Sequence, residues 1–535
     1  MFDRKRTTVQ SFQNFAAGGE MPGWPAEIFL ELSNVCDLKC AMCPTFSALN
    51  PNRLIALKED ERGFLDTKVV ARPLEELLTH ALNVHCFGYG EPTLHPEFRE
   101  TIEYLSSFEV MIDFFTNGMH IDEDLADFLV RSKVYKVTVS FSGTTREDYE
   151  NVYLDGRFDK VLAGLRHLAE AKKRQGRLYP IVVINSIAFQ HHVDRLDEFI
   201  ELMAGHGVDY VEVKPLIEHA EMIPELRGHT AVARPDVIAR AETLARERGV
   251  GLKLYGLGEG AAATEPLPPP VPVAKFREAS RSIELVRPKP GRPQHILPTD
   301  LEMRKGGDGF SCMEPFKTLY VRRSGETKPC CFASGPSLGS VAAEDGTAIW
   351  HGERFTTIRE GILSGAYPMA LCGNCLKYKT APAHHSIPGL WGGYLYWRRI
   401  SFGAADGEEI HLPDNDGIAR VWLARHPDRH VEAAPDLKVE GYLDYLTRSR
   451  AAGWVWTPTT PGRRFEVALR FRGEILLRAP AETFRQDLID AGKGDGRYHY
   501  DLNLPMPLPD DADPSEVEIL AEDTGFVMSR PIGWN

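Results

Sequence analysis

Three cysteines lie close together in one stretch, Cys36-Asp-Leu-Lys-Cys40-Ala-Met-Cys43-Pro44. Thiols at this spacing can converge on a single metal ion or cluster, and they supply three ligands. A structural zinc site is closed by four. A cubane [4Fe–4S] cluster held by three thiolates keeps one iron open to bind and activate another molecule. Zinc with a distant fourth ligand and unligated loop cysteines are the plainer alternatives. Five more cysteines follow far downstream, at Cys312, Cys330, Cys331, Cys372 and Cys375. The total of nine is odd and the spacing uneven, which suits a disulfide framework poorly. Two separated sets imply two metal sites. The remaining thiol, Cys86, stands alone in an apolar run and reads as a small buried hydrophobe. His384 and His385, after the last cysteine, read as solvated.

The elements that must position the first set are short apolar runs alternating with amphipathic stretches. Strands are expected at Glu27–Leu32, Asn83–Gly88, Val110–Phe115, Tyr135–Phe141, Ile181–Ile187 and Tyr210–Lys214. Helical periodicity falls between them, as in Asp159–Lys173, where Val161, Leu162, Leu165 and Leu168 share one stripe, and in Val193–Ala204 and Asp236–Arg248. Six strands each followed by a helix imply a parallel α/β sheet with right-handed crossovers. Periodicity does not say whether such a sheet is open or curled. In either form ligands bind at the carboxyl ends of the strands, and Cys36 follows the first strand directly.

Past residue 258 the texture changes. Pro266, Pro268, Pro269, Pro270 and Pro272 mark an extended linker over 258–307. A small cysteine-bearing segment occupies 308–380. Strand-like runs at Tyr442–Leu446, Gly453–Trp456, Phe465–Phe471, Glu474–Ala479 and His499–Leu504 suggest a mostly-β module over 437–535. Trp454 and Trp456 share strand parity there, which suits a sandwich core or a sugar-stacking face.

The 535 residues, with 26 Phe, 17 Tyr and 8 Trp, are ordinary for a multi-domain globular chain. A net charge of −14 argues against a general affinity for nucleic acid or an anionic membrane. No apolar run reaches the length of a spanning helix, so no membrane span is expected. The polar start, Met1-Phe2-Asp3-Arg4-Lys5-Arg6, lacks the apolar region of a secretory signal, which makes the cytoplasm the expected compartment.

The Cys36, Cys40, Cys43 spacing, placed just after the first strand of a repeated β-α pattern, resembles the radical S-adenosylmethionine superfamily. The resemblance covers residues 22–250 and implies a partial (β/α)6 barrel. Further motifs fall at successive strand ends. Gly88-Tyr-Gly90-Glu91-Pro92 resembles the family's Gly-Gly-Glu segment, whose backbone contacts the cofactor's amino group, with Tyr89 as a departure. Asn117 in Thr116-Asn117-Gly118, Ser140 and Ser142 in Ser140-Phe-Ser142-Gly143, and Asn185 resemble positions that meet the cofactor. The resemblance implies a [4Fe–4S] cluster on Cys36, Cys40 and Cys43. Reductive cleavage of S-adenosylmethionine would yield a 5′-deoxyadenosyl radical that abstracts hydrogen from a substrate C–H bond. An external electron donor such as flavodoxin or ferredoxin is implied.

Cys312, twelve residues, Gly325, four residues, Cys330, and later Cys372-Gly-Asn-Cys375 resemble the auxiliary-cluster segment called SPASM or its shorter twitch form. This implies a second [4Fe–4S] cluster on Cys312, Cys330, Cys372 and Cys375. Cys331 competes with Cys330, and a four-cysteine zinc ribbon competes with the cluster. The C-terminal module resembles accessory modules of surface-polysaccharide enzymes, so a sugar or polysaccharide precursor is the expected substrate. A peptide or protein maturase is the alternative, and a non-catalytic zinc or iron–sulfur binding protein a further one. Reconstituted protein is expected to hold about eight irons, with about four lost in a Cys372→Ala/Cys375→Ala variant, since each cubane holds four. Iron and labile-sulfide assays check this, and stoichiometric zinc without sulfide would refute it.

Overall fold

The computed structural model describes residues 1–16, 18–43, 45–47, 62–216, 233–255, 303–305, 312–331, 333, 337–372, 387–402, 439–458, 464–472, 474–504, 507–509, 511–521 and 526–528. Most of the expected linker, together with Cys375, His384 and His385, lies outside them. Two compact units divide the chain, residues 1–427 and 428–535.

The first unit is built on parallel strands β1 (Glu27–Leu30), β2 (Asn83–His85), β3 (Met111–Thr116), β4 (Lys136–Ser140), β5 (Ile181–Ala188), β6 (Tyr210–Pro215) and β7 (Gly251–Leu254). They lie side by side in chain order, all pairs parallel. The sequence reading expected the first six. The seventh, four residues long, is too short to stand out from the helix before it. A small pair, β8 (Met303–Lys305) with β11 (Ala366–Pro368), is antiparallel.

The far edge of β1 is taken by β9 (Thr318–Val321), which runs parallel to it with Ile28 opposite Leu319. β10 (Thr327–Lys328) then pairs antiparallel with β9. The cysteine-bearing segment thus contributes two strands to the core sheet. The outer strands β10 and β7 do not pair with each other, so the sheet is open, as in a partial barrel.

Local chemistry explains the helices around it. Phe158–Arg174 buries Val161, Leu162, Leu165 and Leu168 against the sheet. Glu123–Arg131 starts where the Asp122 carboxylate accepts the Leu125 N–H, which satisfies an otherwise unpaired donor. An N-terminal helix, Phe2–Ala16, was not evident from its polar sequence. It buries Val9 and Phe12, and the Lys5 ammonium donates to Leu78 O at the end of helix Thr67–His80.

Alternate residues of the strands line the inner face of the sheet. Part of this face is ionic and largely buried. His85 Nδ1 lies 2.9 Å from Asp113 Oδ2, and His85 Nε2 lies 3.5 Å from Glu27 Oε1. Lys317, just before β9, bonds the other Glu27 oxygen and lies 3.6 Å from Glu314. One step along the strands the layer turns aromatic. Phe29 stands 5.4 Å from Phe87 and 6.0 Å from Tyr320, and Phe87 stands 4.8 Å from Phe115.

The second unit holds two four-stranded antiparallel sheets. One comprises β12 (Glu440–Leu446), β13 (Arg450–Trp456), β16 (Thr483–Phe484) and β17 (Arg497–Asn503). The other comprises β14 (Glu466–Phe471), β15 (Glu474–Pro480), β18 (Val517–Ala521) and β19 (Phe526–Val527). Ala451, Val455, Val467 and Leu469 share the core between them. Trp454 and Trp456 do not join it. They face the opposite side of β13, with Leu488 and Tyr498, beneath the Lys493 ammonium at 4.5 and 4.7 Å from their ring centroids. The parity that put both rings on one face left open which face is covered.

The buried ionic layer makes stability depend on pH. Burial opposes the imidazolium, but Asp113 and Glu27 outweigh it and lift the His85 pKa from 6.5 to about 9. A folded value above the unfolded one gives stabilisation that is complete below about pH 6.5 and lost as pH rises through about 9. Between those limits the Tm of the native chain is expected to fall by roughly 5 °C more than that of His85→Gln. Circular-dichroism melts across the range check this, and equal slopes would contradict it.

Candidate functional site

The first cysteine loop is fixed by its neighbours at the carboxyl ends of the strands. Gly90 N–H donates to Ser33 O at 3.1 Å and Glu91 N–H to Val35 O at 2.8 Å. A Cβ on Gly90 would stand 2.5 Å from Val35 O and 2.6 Å from Ser33 O, so only glycine permits this approach. Farther along, Lys39 N–H donates to Leu154 O and Ala41 N–H to Val152 O.

The side chain that pins the loop is Asp37, inside the motif. Its Oδ1 accepts the Asn117 amide at 2.7 Å and its Oδ2 meets His120 Nε2 at 2.9 Å. Burial disfavours the Asp37 carboxylate, but His120 and Asn117 hold its pKa below the ordinary value. Asn117 Oδ1 in turn accepts Met119 N–H at 2.9 Å. Glu91 is buried and accepts four hydrogen bonds, from Thr93 N–H, Thr93 Oγ1, Thr116 Oγ1 and Asn117 N–H. Ser142 is fully buried, accepts Ile187 N–H at 2.8 Å and meets the Tyr153 hydroxyl at 3.1 Å. Glu91 was expected at the cofactor through the backbone of its segment, and Asn117 and Ser142 among the positions that meet it. Their side chains join loops, because strand ends this close leave their polar groups in mutual reach.

Ser140 and Asn185 are arranged differently. They stand in register on β4 and β5. Asn185 Oδ1 is buried and accepts no hydrogen bond among the described residues. A buried acceptor without a donor is uncommon and calls for one. Gly88 and Pro92 frame the loop after β2, with Pro92 opening a single turn capped by Glu91.

Burial pushes the Cys36 thiol up to about 12, and Cys43 adds to the effect. Cys40 is raised as well, by burial and by both other thiols. Cys43 Sγ accepts Phe46 N–H at 3.3 Å. Among the described residues no three His, Cys, Asp or Glu side chains are closed around one point. The three thiols are nonetheless electrostatic neighbours, and only a strong positive charge would make all of them thiolates together. Iron supplies that charge, since a coordinating thiol is deprotonated outright.

Of the second set, Cys312 precedes the turn Glu314–Lys317 that leads into β9. Cys330 and Cys331 follow β10, Cys330 buried and Cys331 half-buried. Gly325, with φ of +82°, closes the β9–β10 hairpin and donates to Arg322 O at 2.8 Å, which explains the glycine at this spacing. Cys372 ends the short helix Met369–Cys372. Cys86 is fully buried in the core, as expected.

Residues 30–203 match the sequence profile of the Radical SAM superfamily, and residues 312–376 match SPASM, an iron–sulfur cluster-binding domain. The chain carries a radical SAM domain and a SPASM domain. These domains use [4Fe–4S] clusters and S-adenosylmethionine. Among characterised proteins, "Mycofactocin maturase MftC" of Mycolicibacterium smegmatis is 28% identical over 177 residues, 33% of this chain and 41% of that protein. The chain therefore spans less than half the length of that relative. The "Tungsten-containing aldehyde ferredoxin oxidoreductase cofactor-modifying protein" of Pyrococcus furiosus is 23% identical over 197 residues, 36% of this chain and 51% of that protein. Among solved structures, Streptococcus suis SuiB bound to S-adenosylmethionine aligns with a TM-score of 0.42 at 13% identity, covering 65% of this chain and 70% of that one. Among the described residues no helix is long and apolar enough to cross a membrane.

In the radical SAM domain, sequence reading missed Asp37 and His120. Asp37 was visible as a carboxylate beside Cys36, but its partners lie on a strand end eighty residues away. Outer-shell groups of this kind set metal retention, so Asp37→Ala is expected to weaken retention of the first cluster about 10–100-fold. Iron counts after a chelator challenge check this. A variant that keeps its iron as the native chain does would remove Asp37 from that role.

Proposed function

We propose that this chain is a radical SAM enzyme that modifies a peptide or protein by hydrogen abstraction from a C–H bond. The observation that carries the reading is the parallel pairing of β1 with β9, which joins the segment bearing Cys312, Cys330 and Cys331 to the strand that leads into the Cys36 loop. The match to mycofactocin maturases supports a peptide over the sugar expected from the C-terminal module. That module's paired tryptophans are covered by Lys493 and Leu488, which weakens the sugar-stacking reading.

Cys36, Cys40 and Cys43 would hold the first cluster, and Cys312, Cys330, Cys372 and Cys375 the second. When bound, the first cluster and S-adenosylmethionine supply one-electron cleavage chemistry. The chain's own part is to bind and orient. The backbone of Gly88 to Pro92 would face the cofactor's amino group, and the Asn185 acceptor, beside Ser140, suits a hydroxyl donor. Asp37 holds the thiolate loop still, with Asn117 and His120 behind it. The aromatic layer of Phe29, Phe87 and Phe115 would give the site an apolar floor. A reducing protein such as flavodoxin or ferredoxin would deliver electrons in the cytoplasm.

Anaerobic incubation with S-adenosylmethionine, dithionite and panels of peptides and sugar nucleotides tests the reading. Expected are 5′-deoxyadenosine and a mass change in a peptide. Both signals with a sugar nucleotide, and neither with peptides, would reverse the choice of substrate.

A further inference from the structure

One buried carboxylate touches both cofactor segments. Glu31 follows β1, is 2% exposed, and continues the β1–β9 ladder through its N–H to Val321 O at 2.9 Å. Its Oε1 accepts Tyr89 N–H at 3.1 Å, in the loop expected to hold the cofactor's amino group. Its Oε2 accepts Arg323 N–H at 3.1 Å, in the β9–β10 hairpin that leads to Cys330. Gly88 makes room for it, since a Cβ there would fall inside the Glu31 side chain. Above this bridge the Arg322 guanidinium lies 5.5 Å from the Tyr89 ring centroid. The Tyr89 phenol has Cys330 and Cys331 among its electrostatic neighbours.

We propose that Glu31 is a positioning residue that couples the cofactor loop of the radical SAM domain to the hairpin of the SPASM domain, so that binding at the first is felt at the second. This rests on the function proposed above for the two segments. A carboxylate with one oxygen on each loop resists separation of the two, and its burial excludes the water that would otherwise replace either bond. Tyr89, the departure from the family's Gly-Gly-Glu form, lies across the same gap and carries the stacking contact.

The turn geometry allows a clean test. Arg323 is the second residue of the turn closed by Gly325 N–H to Arg322 O, a position that proline favours. Arg323→Pro therefore deletes the N–H donated to Glu31 and suits the turn, while Arg323→Ala removes only the side chain. Glu31→Gln turns one acceptor into a donor that faces an N–H. In reconstituted full-length protein, hydrogen–deuterium exchange over 318–328 is measured with and without S-adenosylmethionine. Protection on cofactor addition is expected in the native chain and in Arg323→Ala, and its loss in Arg323→Pro and Glu31→Gln. The same two variants should release about tenfold less product per 5′-deoxyadenosine, because a misplaced group costs rate steeply. Should Glu31→Gln fail to fold, the Arg323 pair decides alone. Cofactor-dependent protection that survives in Arg323→Pro would overturn the coupling. A native chain that shows the protection yet modifies no substrate would count against the proposed function only, since exchange reads the bridge without turnover.

Discussion

Strand β1 is hydrogen-bonded along both edges, to β2 on one side and β9 on the other. Without the second pairing, β1 would be an edge strand with an open row of N–H and C=O groups. With it, a segment from almost three hundred residues downstream becomes part of the core sheet. The first cysteine set follows the carboxyl end of β1, while Cys312 precedes β9 and Cys330 follows the antiparallel β10, so strand pairing ties both segments to one sheet.

The same pairing organises the floor of the unit. Lys317 arrives with β9 and supplies the cation that Glu27 needs, while His85 and Asp113 complete the charge balance on β2 and β3. Buried charges of this kind are tolerated only when paired, so the auxiliary segment and the α/β core are bound by electrostatics as well as by backbone bonds. Trp350 adds a third tie through Nε1–H to Gly23 O at 3.0 Å, with Arg359 stacked 4.0 Å from its ring centroid. The cysteine-bearing segment shares its hydrophobic core with the barrel strands.

At the other end of the sheet the polar residues divide by what already satisfies them. Glu91, Asn117 and Ser142 are bonded to their own loops and give the site its shape. Asn185 keeps a buried acceptor without a donor among the described residues. Thiols raised by burial and by one another at Cys36 and Cys40 are poised for a cationic centre and poorly suited to be free nucleophiles. Shape-giving and ligand-facing groups interleave along the same motifs, which is why residue type alone did not separate them.

Much was legible in the residues. Apolar runs of strand length located β1 to β6, and the spacing of Cys36, Cys40 and Cys43 after the first of them pointed to the cofactor chemistry, because ligand convergence within one loop is a local property. Gly88 and Gly90 were visible through the resemblance of their segment to the family's Gly-Gly-Glu motif. Tertiary structure decided what depends on contacts between distant segments. It alone paired β9 with β1, turned Asn117 toward Asp37, set Glu31 between Tyr89 and Arg323, and put Trp454 and Trp456 on the outer face of β13. Local pattern records which face of an element is apolar and where a turn is permitted. Which partner covers that face, and which donor a buried acceptor meets, is chosen by packing and strand register across the whole unit.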